Sequence, residues 1–280
     1  MWRKEFVSIL LHRLEIHPNQ EVVDVGCGTG FFTRLVAKGM KGKGRVIGID
    51  RNERLLKVAR RLAEEQKLDG TISFRQGNAE SMPLRDGSAD RVVCQTLLWT
   101  LKDPRPAIRD MVRVCKIGGL IGAVEGAFDR IIWYAPDDLR LTELTHRWVD
   151  AYTKGYAKLY GSDRGIGYKL PAFFSEVGLN RIRLDGFPFV WLESDDRIPV
   201  SFRLQEHHRV IHSHEHPSGK SREESERILR MGGMPAREIE EMTIRLYERS
   251  KGIVLNPKLL NRDFSMNAGL YLLTTGLKQE

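Results

Sequence analysis

The chain has 280 residues, 41% of them hydrophobic, which suits one enlarged domain or a domain with a cap. No apolar run reaches the roughly 18 residues of a membrane-spanning helix, and the first residues lack the apolar core and cleavage site of a secretory signal. Lys and Arg exceed Asp and Glu by 45 − 37 = 8. The excess is spread out, and its densest patch (Lys38, Lys41, Lys43, Arg45) lies among glycines and reads as a solvated loop rather than a phosphate-contacting patch. The three cysteines, Cys27, Cys94 and Cys115, neither pair evenly nor show metal-ligand spacing, so a reduced, cytoplasmic compartment is expected.

In chain order, helical spacing of Phe6, Leu10, Leu11 and Leu14 predicts a helix over 1–14. A β-branched run over 21–25 ends in glycines and predicts a buried strand. A helix follows over 31–38, a second strand over 45–50, and an amphipathic helix over 52–66. Strands are expected at 72–75, 90–95 and 120–125, with a helix at 104–115 and a turn at Gly118-Gly119. Strands alternating with helices imply parallel pairing and right-handed crossovers, hence an α/β, doubly wound sheet with ligands beyond its carboxyl ends. Later come a long helix over 137–160, a helix over 171–177 stopped by Gly178, and a strand-like stretch over 180–191. Mostly helical pattern fills 193–265, with a break at 231–235, and a strand is expected near 269–277.

The first strand delivers Gly26-Cys27-Gly28-Thr29-Gly30 into a helix start. Glycines permit positive φ and let a ligand approach the backbone without meeting a Cβ, and the helix start offers free N–H groups. Asp50 ends the next strand, 20 residues after Gly30, a spacing that suits a carboxylate accepting from ribose hydroxyls. A nicotinamide or flavin fingerprint needs a third glycine at position 31, or at 33 in the shifted frame. Phe31 and Thr33 stand there and disfavour that reading.

Several segments together resemble class I S-adenosylmethionine-dependent methyltransferases, of the branch related to ubiquinone/menaquinone biosynthesis with a type 11 methyltransferase domain. They are the run from Val22 to Gly30, Val46-Ile47-Gly48-Ile49-Asp50, Gly77-Asn78-Ala79-Glu80-Ser81-Met82-Pro83-Leu84, Ala89-Asp90-Arg91-Val92-Val93-Cys94-Gln95 and Arg113-Val114-Cys115-Lys116-Ile117-Gly118-Gly119. Asn78 stands where that family often has Asp, and Ile117 where it has Pro. The resemblance implies a Rossmann-like sheet of seven mostly parallel strands, the last antiparallel, with a helical cap. It implies a cofactor core over 1–130, a helical substrate-side insertion over 131–170, a late helix and strand over 171–191, a helical cap over 192–265 and a final strand over 266–280. It implies S-adenosylmethionine, with S-adenosylhomocysteine as product, held by Asp24, Gly26, Cys27, Gly28, Thr29, Gly30, Asp50, Arg51, Asn78, Ala79, Glu80 and Gln95.

The acceptor side is less legible. Methyl transfer from a sulfonium needs alignment and exclusion of water, and a base only if the nucleophile must lose a proton. Thr96, Leu97 and Trp99 follow strand four. Glu125, His146 and Tyr152 are candidate catalytic residues, each with a structural alternative: a surface salt bridge for Glu125, a surface or capping role for His146, helix packing for Tyr152. Trp148, Tyr152, Tyr156 and Tyr160 form an aromatic stripe that either packs on the sheet or walls an apolar acceptor. Five histidines, His207, His208, His212, His214 and His216, fall together, with Glu206 and Glu215 near. His208 and His212 are one helical turn apart and are candidate metal ligands, although no metal is expected. A small-molecule acceptor is the leading expectation and RNA the alternative, encouraged by the basic charge. Gln95-Thr96-Leu97-Leu98 lacks the Asn/Asp-Pro-Pro-aromatic run of amino-methylating nucleic-acid enzymes, and neither Cys94 nor Cys115 suits a nucleophile.

Overall fold

The computed structural model describes residues 4–212 and 221–279, with the backbone alone at Lys4, Glu206 and His212. After α1 (Lys4–Arg13) come β1 (Glu21–Val25), α2 (Phe31–Gly39), β2 (Arg45–Asp50), α3 (Glu53–Glu65), β3 (Ile72–Gln76), β4 (Ala89–Gln95), α4 (Arg105–Val114) and β5 (Cys115–Gly126). Then follow β6 (Ile132–Tyr134), α5 (Leu139–Tyr160), α6 (Leu170–Glu176), β7 (Asn180–Leu192), α7 (Val200–His212), α8 (Arg222–Met231), α9 (Ala236–Leu255) and β8 (Met266–Leu277). Single 3-10 segments lie at Leu98–Thr100, Ile166–Tyr168 and Pro257–Arg262. The chain divides into two compact units, 1–126 with 165–187 and 271–280, and 127–164 with 188–270.

The first unit is a twisted sheet in the order β3-β2-β1-β4-β5-β8, with β7 also on β8. β1 pairs in parallel with both β2 and β4, so the strand order reverses there and opens a crevice at the carboxyl ends. β8 runs antiparallel to β5, as the resemblance implies. Val23, Val25, Val92 and Ile121 lie fully or almost fully buried, which accounts for the unbroken β-branched runs of a sheet covered on both faces. α3 starts where Asn52 accepts from the Arg54 N–H, and it turns Leu56, Ala59 and Ala63 inward at helical spacing.

Two differences from expectation have simple causes. Gly118-Gly119 is not a turn before β5 but a bulge within it. Ala89 faces Cys115 and Arg91 already faces Leu120, so residues 116–119 loop out of the ladder, with Gly118 at φ 76°. Within the second unit the start of β8 gains a partner in β6, whose three residues pair with Ala268, Asn267 and Met266, so β8 starts at Met266 rather than 269. A three-residue strand inside a helical stretch gives no period to read.

The second unit is mostly helical. Asp138 caps α5 by accepting from the Leu141 N–H, and Gly161, at φ 67°, ends it. Its core joins Leu141, Leu144 and Tyr152 of α5 to Ile228, Leu229 and Met242 of α8 and α9. The aromatic stripe packs here, with ring centroids 4.8, 5.6 and 4.7 Å apart from Trp148 through Tyr160, beside the α8 and α9 residues of this core.

α5 and α8 cross at two glycines. A Cβ on Gly155 would sit 1.8 Å from the Ile228 carbonyl oxygen, and one on Gly232 would sit 1.7 Å from that of Ala151. Backbone cannot yield as a side-chain tip does. Gly155→Ala is therefore expected to destabilise this unit by about 2–3 kcal/mol or more, the cost of overpacking. Thermal denaturation followed by far-UV circular dichroism reads this; an unchanged midpoint would contradict the close crossing.

Candidate active site

The site is built at the carboxyl ends of β1, β2 and β4 in the first unit. Val25 ends β1, and the chain turns through Gly26, Gly28 and Gly30 at φ 70°, 53° and 73° before entering α2. The Gly26 and Cys27 N–H groups both donate to the Ile49 carbonyl, at 2.7 and 3.0 Å, which pins the loop to β2. Arg34 donates to the Thr29 carbonyl at 2.7 Å and braces the loop from the helix side. The three glycines differ in their surroundings. A Cβ on Gly26 would strike Leu97 at 2.6 Å and one on Gly30 would strike Phe74 at 2.7 Å, whereas one on Gly28 meets nothing within 4 Å. Gly26 and Gly30 are thus closed by packing, while Gly28 presents bare backbone to open space.

Asp50 lies directly under this loop. One carboxylate oxygen accepts from the Gly28 N–H at 2.9 Å and the other from the Asn52 N–H at 2.8 Å. Each oxygen keeps a second lone pair for another donor. Asp24 on β1 is buried, and Thr33 donates to it at 2.6 Å. Burial, with Asp50 adding to it, pushes its carboxyl up to about 7 despite the Thr33 bond. Cys27 is pushed well above the ordinary thiol range by burial and by Asp24 and Asp50, so it is a protonated packing residue whose place in the loop is a backbone one.

The loop after β3 carries Asn78, Ala79 and Glu80. The Asn78 carbonyl oxygen accepts from the Glu80 N–H at 3.1 Å, leaving its amide nitrogen as a donor. The Gln76 amide holds the Arg51 carbonyl at 3.1 Å, tying this strand end to the residue after Asp50. The same loop is fixed further along by a device that the sequence reading missed. Asp110 accepts from the Met82 N–H at 2.7 Å, and Arg113 donates to the Met82 and Leu84 carbonyls at 3.0 and 2.8 Å and to Asp86 at 2.7 Å. The acid and the base three residues on along α4 were the available signal.

On the far side of the crevice, Gln95 ends β4 and donates to the Thr96 hydroxyl at 3.1 Å. Thr96 sits at φ 51°, which costs a β-branched residue on the order of 1–3 kcal/mol, and such strain clusters at functional turns. Glu125, at the end of β5, is not a surface salt-bridge residue. It is fully buried, and one oxygen accepts from the Leu97 and Leu98 N–H groups at 3.0 and 2.7 Å. Its other oxygen is buried without a hydrogen-bond partner. Burial pushes the carboxyl up to about 8 against the pull of those N–H groups. Trp99 is half-buried against the sheet core.

The remaining candidates lie in the second unit. Tyr152 is buried in the helical core with the Arg164 guanidinium 5.1 Å from its ring, and His146 is exposed on α5. His208 is exposed on α7; the His212 and Glu206 side chains, His214, Glu215 and His216 lie outside the described residues. Among the described residues no group of three or more His, Cys, Asp or Glu side chains is placed to hold a metal, and no helix is long and apolar enough to cross a membrane. All three cysteines are buried and free.

Residues 23–122 match the family model described as a methyltransferase domain. An uncharacterized 37.1 kDa transposon protein of Streptomyces fradiae is 31% identical over 134 residues, and a demethylmenaquinone methyltransferase of Lactiplantibacillus plantarum is 32% identical over 124. These matches take in 48% and 44% of this chain, which spans only 38% and 51% of those two relatives. A demethylmenaquinone methyltransferase of Bacillus cereus is 27% identical over 198 residues, 67% of this chain and 80% of the relative. The crystal structure of the YcgJ protein of Bacillus subtilis superposes with a TM-score of 0.58 at 21% identity, over 99% of this chain and 100% of that one, a likeness of fold. Residues 23–122 thus carry a methyltransferase domain, set in a Rossmann-like fold.

Proposed function

We propose that this protein transfers the methyl group of S-adenosylmethionine to a small-molecule acceptor. The observation that carries the reading is the contrast among the loop glycines: packing closes the Cβ positions of Gly26 and Gly30, while Gly28 shows backbone to open space above Asp50. Such a cradle fits a ligand that must lie on the main chain. S-adenosylmethionine supplies a methyl group on a sulfonium, which an acceptor atom takes by in-line displacement.

In this reading Asp24 and the backbone of Gly26, Cys27, Gly28, Thr29 and Gly30 hold the amino-acid end. Asp50 and Arg51 hold the ribose, Asn78, Ala79 and Glu80 flank the adenine, and Gln95 closes the far wall. Asp24 favours its carboxylate beside a positive ligand, so cofactor binding strengthens as pH rises through about 7. Glu125 acts as a positioning residue: it seats Leu97 and Leu98 after the strained Thr96, where an acceptor would meet the crevice. With both N–H groups on one oxygen and no exposure, it is a clamp rather than a proton acceptor for substrate. The small-molecule class is supported by the relatives named for demethylmenaquinone.

The test is release of S-adenosylhomocysteine from protein given the cofactor and a panel of demethylated quinones, phenols, amines and unmodified tRNA. Turnover with a small acceptor and none with RNA is expected. Turnover confined to RNA would overturn the acceptor class.

A further inference from the structure

Large apolar side chains stand in solvent where α7, the end of α9 and the Pro257–Arg262 segment meet in the second unit. Leu255 is 76% exposed, Phe264 60% and Phe202 51%, with Val200 and Leu259 beside them in sequence. They share a neighbourhood. The Phe202 ring lies 5.6 Å from that of Trp191, the Glu193 N–H donates to the Ser265 carbonyl next to Phe264, and Arg203 donates to the Glu193 carbonyl at 2.7 Å. None of these apolar groups is needed by the helical core on the other side of α9, and isolated exposed apolar residues are common whereas gathered ones mark a docking surface.

Exposed cations outnumber exposed acids around this patch, Arg197, Lys251, Lys258 and Arg262 against Asp137, Asp196 and Glu248. Asp263 is buried and turned inward, where it accepts from Arg249, the Ser265 N–H and the Ser265 hydroxyl. Asp195 is buried as well and takes Arg197. Lys251, Lys258 and Arg262 are exposed instead. Lys251 stands one helical turn before Leu255, and Arg262 shares a face with Leu259 at the three-residue spacing of a 3-10 turn. Exposed aromatic and aliphatic groups with Lys and Arg in excess around them match the chemistry of an anionic bilayer surface. A second copy fits poorly, because a two-fold interface would set the same cationic rim against itself.

We propose that this face of the second unit docks on anionic lipid surfaces, with the apolar side chains entering the headgroup boundary and Lys251, Lys258 and Arg262 pairing with lipid phosphates. The contact is peripheral and independent of the cofactor reading. The full chain is sedimented with vesicles of phosphatidylcholine alone and of phosphatidylcholine with phosphatidylglycerol in equal parts. Binding to the anionic vesicles is expected to exceed binding to the neutral ones about tenfold or more and to weaken with added salt. K258E/R262E and, separately, F202S/F264S should each lower anionic-vesicle binding about tenfold, with circular dichroism unchanged. Equal binding to both vesicle types, or variants that fold and bind as the parent does, would overturn the proposal. So would self-association abolished by F202S/F264S without any vesicle binding, since that assigns the face to a second copy. Should either variant fail to fold, the vesicle and salt comparison on the parent decides alone.

Discussion

Gly28→Ala is expected to weaken S-adenosylmethionine binding by tenfold or more while lowering the thermal midpoint by only a few degrees, and Gly30→Ala is expected to do the reverse. Both glycines hold left-handed backbone, at φ 53° and 73°, so each substitution carries about 1–2 kcal/mol of conformational cost. The difference lies in what the new methyl meets. At Gly28 there is nothing within 4 Å, so the methyl occupies only the space proposed for the ligand. At Gly30 it would press on Phe74 at 2.7 Å and on Ala59 at 3.1 Å, between α2, α3 and β3. Overpacking there adds about 1–3 kcal/mol, and the sum corresponds to a fall of roughly 5–15 °C. Differential scanning fluorimetry with and without cofactor separates the two. A Gly28→Ala protein that binds the cofactor like the parent would remove the cradle from the account.

Glu125 controls the second large effect, and its sign follows from its burial. The carboxyl rises from an ordinary 4.5 to about 8, so between these values the folded chain holds a proton that the unfolded chain releases. The folded state is therefore penalised progressively as pH rises from about 4.5 to about 8, and the penalty is constant above that. Glu125→Gln keeps an acceptor for the Leu97 and Leu98 N–H groups and cannot ionise. It should match the parent near pH 4.5 and exceed it at pH 9 by on the order of a few kcal/mol. Asp24 has the same sign over about 4 to 7 and contributes its own slope, which Glu125→Gln leaves in place. Glu125→Leu removes the acceptor and strands two amides at about 1–3 kcal/mol each, at every pH. Urea denaturation of the three proteins across pH 5–9 provides the test; a Glu125→Gln protein with the parent's pH dependence would show that the group is ionised in the fold.

Much of the site was legible because its chemistry is written in short spacings. The glycine loop, the helix after it and Asp50 at the next strand end need only local sequence, and the structure brings the Gly28 N–H and the Asp50 carboxylate within 2.9 Å. Phe31 disfavours the dinucleotide fingerprint on the same terms. Glu125 was misread as a possible surface residue because its role depends on a long-range fact, the parallel register that sets Gln95 beside Val124 and so brings the Leu97 and Leu98 amides to the next residue. The same holds for the Gly155 and Gly232 crossing: Gly155 lies within α5 and Gly232 in the turn that ends α8, and the close approach of each to the other segment's backbone is a long-range fact. The aromatic stripe on α5 is visible at its four-residue spacing, but its partners lie far along the chain on α8 and α9, as Glu224 does 64 residues after Tyr160, which no periodicity can name.

The central claim is that the Gly26–Gly30 loop with Asp50 holds S-adenosylmethionine, and isothermal titration tests it most directly. Stoichiometric binding of S-adenosylmethionine and S-adenosylhomocysteine to the parent is expected, with no heat from a nicotinamide dinucleotide and a loss of tenfold or more in affinity for Asp50→Ala, which lacks the proposed ribose acceptor. Binding of the dinucleotide, or full S-adenosylmethionine affinity in Asp50→Ala, would contradict it.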